Sequence, residues 1–257
     1  MKWKHKLNSL VALGAIVIGL LVFWNSPYLW LWIASIFSVF FLILSFGVLF
    51  LRFQYFYPAI FRNPGKEAIL TFDDGPDPAL TPRILDILKK HGIHAIFFAI
   101  GRKVLEHPEI FQRIISEGHT VGNHTQNHFI FFAMLNTKKA GMEIDSFSET
   151  VEPYLSEKPS IFRPPIGYTN PNIARALERR KMKIIAWNVR SYDSFKNKGT
   201  LLNRLLKYTK PGSIVLLHDN LVSTADILEE YILQSKANGI VFANQEHLKK
   251  FIHEINK

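Results

Sequence analysis

Short apolar runs alternate with helix-like segments over residues 66–257. This pattern predicts an α/β protein whose parallel sheet closes, or nearly closes, into a distorted (β/α)7-type barrel. Residues 7–51 stand apart as an almost uncharged stretch, read as an N-terminal two-helix transmembrane hairpin. The polar residues carry a third signal. Asp73-Asp74, His124, Arg163, Asn188 and His218-Asp219 each follow an expected strand end, where parallel β/α folds assemble their sites.

The hairpin rests on two runs, Leu7 to Trp24 and Tyr28 to Leu51. As helices they would extend ~27 and ~36 Å, enough to cross a hydrocarbon core of ~30 Å. Asn25-Ser26-Pro27 turns the chain between them, and Trp24, Tyr28, Trp30 and Trp32 cluster there as interfacial aromatics do. A secretory leader is the competing reading of the first run, but no small-x-small cleavage site follows it and a second apolar run does. Lys2, Lys4 and Lys6 precede the hairpin, and Arg52, Arg62 and Lys66 follow it. By the positive-inside rule these charges favour the cytoplasm for both ends, without fixing the side. The expected division is hairpin 1–52, linker 53–65 (Pro58, Asn63, Pro64 and Gly65 being its punctuation) and soluble domain 66–257.

In the soluble part, strands are expected at 68–72, 95–100, 120–121, 161–162, 184–187, 214–217 and 240–242. Helices are expected at 81–91, 108–117, 138–155, 172–180, 201–208 and 225–236, with a last one from Gln245. Thr81-Pro82 illustrates the reasoning: a capping residue, then proline in the first turn, then the apolar face Ile84, Leu85, Ile87, Leu88. Net charge is +10, without the concentrated basic stripe and interleaved aromatics that nucleic acid requires. The absence of Cys excludes disulfides, thiolate nucleophiles and cysteine-ligated metals, so any metal must sit on His and carboxylates.

Alone, each polar motif has a bland reading. Asp73-Asp74-Gly75-Pro76 suits a turn, Arg163-Pro164-Pro165-Ile166-Gly167 a rigid loop, and His218 a core position. His124 and His128, four apart, would share one helical face as a metal pair requires, but ten His produce such a spacing by chance often enough. Their order is more specific. Thr71-Phe72-Asp73-Asp74-Gly75-Pro76, His124-Thr125-Gln126-Asn127-His128, Arg163-Pro164-Pro165-Ile166-Gly167 and Leu216-Leu217-His218-Asp219 together closely resemble the polysaccharide deacetylase family, the NodB homology domain of carbohydrate esterase family 4. The resemblance spans roughly residues 65–257.

What the resemblance implies is a metal-dependent N-deacetylase. Asp74, His124 and His128 would hold a divalent metal with positions left open, as a catalytic site needs; zinc suits the donors, and cobalt, nickel or manganese also fit. Asp73 would be the general base, Arg163 its cationic partner, the Ile166 N–H an oxyanion donor and His218 the general acid. Leu216 would line the acetyl pocket, with Trp187 and Asp193 in the substrate-binding wall. The expected partners are an N-acetylated glycan (peptidoglycan, chitin-like or another polysaccharide) and a lipid membrane. Two rival readings are a deacylase of a lipid-linked sugar at the cytoplasmic face and a weakened glycan-binding or scaffold protein.

The sequence departs from the family at Ile166 and again after Trp187. Ile166 stands where Tyr is usual, Arg190 where an Asp is thought to partner the acid histidine, and Ser194 where a Trp often closes the groove; Asp193 is retained. A cation at 190 would lower the His218 pKa, unless Asp193 takes the partner's place.

Overall fold

The computed structural model describes residues 3–257, so the charge expected from Lys2 lies outside the described residues. Its centre is an eight-stranded parallel sheet built from β1 (Ala59–Ile60), β2 (Ile69–Asp73), β3 (Ile96–Ala99), β4 (Thr120–Asn123), β5 (Ile161–Phe162), β6 (Lys183–Ile185), β7 (Val189–Arg190) and β8 (Ile214–His218). The strand order is β1-β6-β5-β4-β3-β2-β8-β7, a curled half-barrel with β1 and β7 at its edges. Around it lie α3 (Leu80–Lys90), α4 (Gly101–Glu106), α5 (Pro108–Ser116), α6 (Thr137–Val151), α7 (Pro171–Arg179), α8 (Lys198–Tyr208), α9 (Val222–Ala237) and α10 (Gln245–Asn256). The hairpin is α1 (Trp3–Phe23) and α2 (Leu29–Leu49).

Period-2 alternation divides the core. Leu70 and Phe72 face outward with Phe97 and Leu217, under Leu85 and Leu88 of α3 and Leu228 of α9. Ile69, Ile96, Phe98, Ile161, Ile185 and Ile214 face the inside of the curl, where Leu248 and Phe251 of α10 join them. Thr71 and Asp73 share the inward side of β2 with Ile69 by the same alternation.

The expected strand 240–242 makes only one bridge, Phe242 to Ala68. Beyond that residue β2 is already paired with β3 on one side and β8 on the other, so no free edge remains for a longer ladder. The expected linker 53–65 is ordered and packed. Phe56 is fully buried, its ring against His5 and Tyr55, in the cluster that also holds Phe162, Ile173, Leu177 and Ile184, and Ala59–Ile60 pairs with Ile184–Ile185. A linker reading fails here because Tyr55, Phe56 and Tyr57 form an apolar block that must be covered.

Both N-terminal helices are long and apolar enough to cross a membrane. They cross closely at Gly19, whose missing Cβ leaves room for the Trp32 ring, and the Trp32 Nε1–H donates to Ala15 O at 3.0 Å. The hairpin is tied to the segment after it: Asn8 Nδ2 donates to the Tyr55 hydroxyl at 2.8 Å, and Lys4 Nζ to Phe53 O at 2.9 Å.

Candidate active site

The site assembles at the carboxyl ends of the central strands. Asp73 ends β2 directly opposite His218 at the end of β8. Asp74 then takes a left-handed φ of 75°, which Asp tolerates better than most residues, and the next residue must be glycine. A Cβ on Gly75 would lie 1.9 Å from Asp219 Oδ2. This tight turn sends the two adjacent carboxylates to different partners.

Asp73 points to Arg163, whose Nη1 donates to Asp73 Oδ1 at 2.6 Å and to Thr71 Oγ1 at 2.8 Å. Arg163 is fully buried, with its Nε and Nη2 donating to the carbonyls of Ile185 and Ala186 and its guanidinium carbon 4.1 Å from the Phe98 ring centroid. Every Arg163 contact is therefore a fixed acceptor or a π-face, and the cation is positioned by the interior of the curl.

Asp74 points to His124 and His128. Its Oδ1 lies 3.3 Å from each Nε2, and one ligating atom from each of the three residues lies within 4.8 Å of the others. His124 Nδ1 is 2.7 Å from Arg163 O, and a carbonyl can only accept, so Nδ1 carries the proton and neutral His124 presents a lone pair at Nε2. Asp74 Oδ1 is buried without a hydrogen-bond partner. Two imidazole nitrogens and an orphaned carboxylate oxygen converging in this way fit a divalent cation. Burial alone would raise the Asp74 carboxyl, but contact with His124 and the charges of His128 and His218 hold it below the usual carboxylate range. His124 and His128 do not share a helical face, the arrangement that the i, i+4 spacing suggests. Residues 124–128 form a loop after β4, with Thr125 and His128 at positive φ, and the Thr125 hydroxyl accepts from the His128 N–H.

His218 faces this cluster across a cavity of about 210 Å³. Its Nδ1 is 2.8 Å from Asp193 Oδ1, while Asp193 Oδ2 accepts from the His218 N–H and from Thr224 Oγ1, each at 2.8 Å. Burial disfavours the imidazolium, but the Asp193 carboxylate more than offsets it and pushes the His218 pKa up to about 9. Position 193 thus supplies the partner of His218. Asp193 is not in the substrate wall where the sequence reading put it; its side chain is fully buried beneath His218. Arg190 lines the same cavity without taking the partner's place, its guanidinium 5.9 Å from the Trp187 ring and 5.0 Å from the Tyr192 ring.

Leu216, Trp187 and Ile166 line the cavity, and Ile166 sits in a left-handed turn with φ 61°. Gly167 is required beside it, since its φ is 82° and a Cβ would lie 2.7 Å from the Trp187 ring. Sequence reasoning missed Thr224, which is remote in the chain, and Phe195. Phe195 lines the cavity one residue after Ser194, 84% exposed. An aromatic residue displaced by one position was the signal for it.

Comparison with known proteins gives consistent neighbours. Residues 62–185 match the polysaccharide deacetylase family. Peptidoglycan-N-acetylmuramic acid deacetylase PdaC of Bacillus subtilis is 34% identical over 193 residues, 73% of this chain but only 40% of that protein. The chain therefore spans less than half the length of that relative. A peptidoglycan-N-acetylglucosamine deacetylase of Bacillus cereus is 32% identical over 197 residues, 74% of this chain and 92% of the relative. The solved structure of PdaC superposes with a TM-score of 0.67 at 33% identity, covering 75% of this chain and 94% of that one. A carbohydrate esterase family 4 pseudoenzyme from Bacillus anthracis superposes equally well, TM-score 0.67 at 29% identity, covering 73% of this chain and 67% of that chain.

Proposed function

This chain belongs to the polysaccharide deacetylase family, and we propose that it is a metal-dependent deacetylase that removes N-acetyl groups from amino-sugar residues of a glycan while anchored in a membrane by α1 and α2. One observation carries the reading. Three ligating side chains meet between a carboxylate paired with a buried arginine and an imidazole paired with a buried carboxylate, around one small cavity. Because a pseudoenzyme shares the fold, the fold alone does not argue for activity, and these intact pairs do.

Asp74, His124 and His128 would hold the divalent ion, for which zinc suits the nitrogen-rich donor set. When bound, it supplies Lewis acidity that lowers the pKa of water and polarises the amide carbonyl. The remaining roles belong to the chain. Asp73, held by Arg163, takes a proton from the attacking water. The Ile166 N–H at the cavity wall donates to the developing oxyanion. His218, charged at neutral pH through Asp193, gives its proton to the leaving amine. Leu216 and Trp187 supply the apolar wall against the acetyl methyl.

The hairpin reading is supported by the outward apolar side chains of α1 and α2. Leu10, Leu13, Leu21, Trp30 and Leu31 are all more than half exposed, a surface that water does not favour and lipid does. The functional test is acetate release from a panel of N-acetylated glycans by the full chain in detergent, with zinc, cobalt, nickel or manganese added. Activity that requires a divalent ion and is lost in Asp73→Asn and His218→Ala supports the proposal. Metal-independent activity, or none with any glycan, overturns it.

A further inference from the structure

The active-site cavity is not isolated. A larger cleft of about 530 Å³ adjoins it, and the two share Ile166, Gly167, Trp187 and Arg190 as walls. The far wall of the larger cleft is the end of the second membrane-type helix and the turn after it: Leu49, Phe50 and Arg52, with Phe61. Only these shared walls stand between the active-site cavity and the level at which the chain would leave a bilayer.

Arg52, Arg190 and Arg204 line this cleft, and among the described residues none of them forms an ion pair. Arg190 and Arg204 are held in place without carboxylates. Arg204 Nε donates to Arg190 O at 2.8 Å and its guanidinium lies 4.6 Å from the Tyr192 ring, which Arg190 also approaches. Guanidinium groups without an ion-pair partner, two of them held in place, suit a phosphate, which accepts their planar donors in pairs.

A second feature points to lipid. Phe129, Ile130, Phe131 and Met134, just after His128, are 45%, 63%, 56% and 79% exposed. The same stretch packs through Ala133 and Leu135 into the cluster that also takes Leu44 and Val48 of α2. Large apolar side chains exposed together beside a membrane-type helix form an interfacial rim rather than a water-facing loop.

Building on the deacetylase reading above, we propose that the substrate is a lipid-linked sugar phosphate: an N-acetyl amino sugar joined through phosphate to a membrane lipid. Arg52, Arg190 and Arg204 hold the phosphate at headgroup depth, the lipid tail stays in the bilayer beside α2, and the sugar reaches the cavity at Asp74, His124 and His128. The reaction is hydrolysis of the amide: water adds its oxygen to the acyl carbon, the C–N bond breaks, and acetate and a free amine result while the phosphate linkage is untouched. The basic residues flanking the hairpin agree with this, because they favour the cytoplasmic face, which a lipid-linked sugar reaches and an extracellular polymer does not.

The test uses the full chain in nanodiscs of phosphatidylethanolamine and phosphatidylglycerol with zinc. Acetate release is compared between polyprenyl diphosphate-linked N-acetylglucosamine and a soluble N-acetylglucosamine oligomer. The expected result is a kcat/KM about tenfold or more higher for the lipid-linked sugar. Arg52→Gln and Arg204→Gln should shrink that ratio by raising KM for the lipid-linked sugar, and Arg204→Lys should restore part of it. Polyprenyl diphosphate without sugar should inhibit competitively, more strongly than added phosphatidylglycerol. Equal or better hydrolysis of the soluble oligomer, a ratio unmoved by both Gln variants, or inhibition no stronger than that by phosphatidylglycerol overturns the inference while leaving the deacetylase reading intact. Failure to release acetate from either substrate overturns the deacetylase reading itself.

Discussion

Asp73 and Asp74 are neighbours in the chain with separate chemistry, and single substitutions should separate them. Asp74→Ala removes one of three ligands, and such a site rarely holds a metal on two, so bound divalent ion and activity should vanish together. Asp73→Asn should retain the metal and lose about 10²–10⁴-fold in kcat, the usual scale for a general base. Elemental analysis beside the kinetics checks both, and a metal-free Asp73→Asn protein would reverse the assignment. The His218–Asp193 pair has a pH signature. The raised imidazole pKa means His218 is charged, and able to donate, below that value, and loses this ability as pH rises through it. A cation on Asp74 removes part of the carboxylate field, so the alkaline limb of kcat/KM should fall between about 6.5 and about 9. Asp193→Asn should shift that limb downward; a limb that stays in place would show that His218 is not the acid.

The element in which sequence and structure differ most is the segment joining hairpin to domain. Residues 55–60 look like a punctuated linker, yet Phe56 is fully buried in the cluster that β5, β6 and α7 also enter, and β1 extends the sheet. Phe56→Ala should destabilise the domain by about 3–5 kcal/mol, the scale for deleting a buried Phe. Chemical denaturation of fragments 54–257 and 66–257 gives a coarser check, with the shorter one expected to be far less stable. Equal stability would mean that the segment is only draped on the domain. The loop carrying His124 and His128 makes a related point. Positive φ at Thr125 and His128 and a side-chain bond bring the imidazoles together without a helix.

For the whole molecule, the orientation of the hairpin decides which glycans the site can reach. Two crossing helices return the chain to its starting side, and Lys4 already contacts Phe53 across the hairpin's open end. Reporter fusions after residue 6 and after residue 257 should both report the cytoplasm. Signals from opposite sides would leave only one helix spanning, and two external signals would return the polymer as the natural substrate. The sequence by itself determined the parallel α/β class, the paired apolar helices and the order of the catalytic motifs, because hydrophobic period, charge-free length and strand-end polar residues are local properties. Only the tertiary structure decided that Asp193 rather than position 190 serves His218, that Phe56 and β1 belong to the domain, and that the cavity shares its walls with an arginine-lined cleft against α2. Each of these depends on which distant segments touch, and chain neighbours such as Asp73 and Asp74, or Arg190 and Asp193, can be turned to opposite surroundings by a single left-handed residue or a strand end.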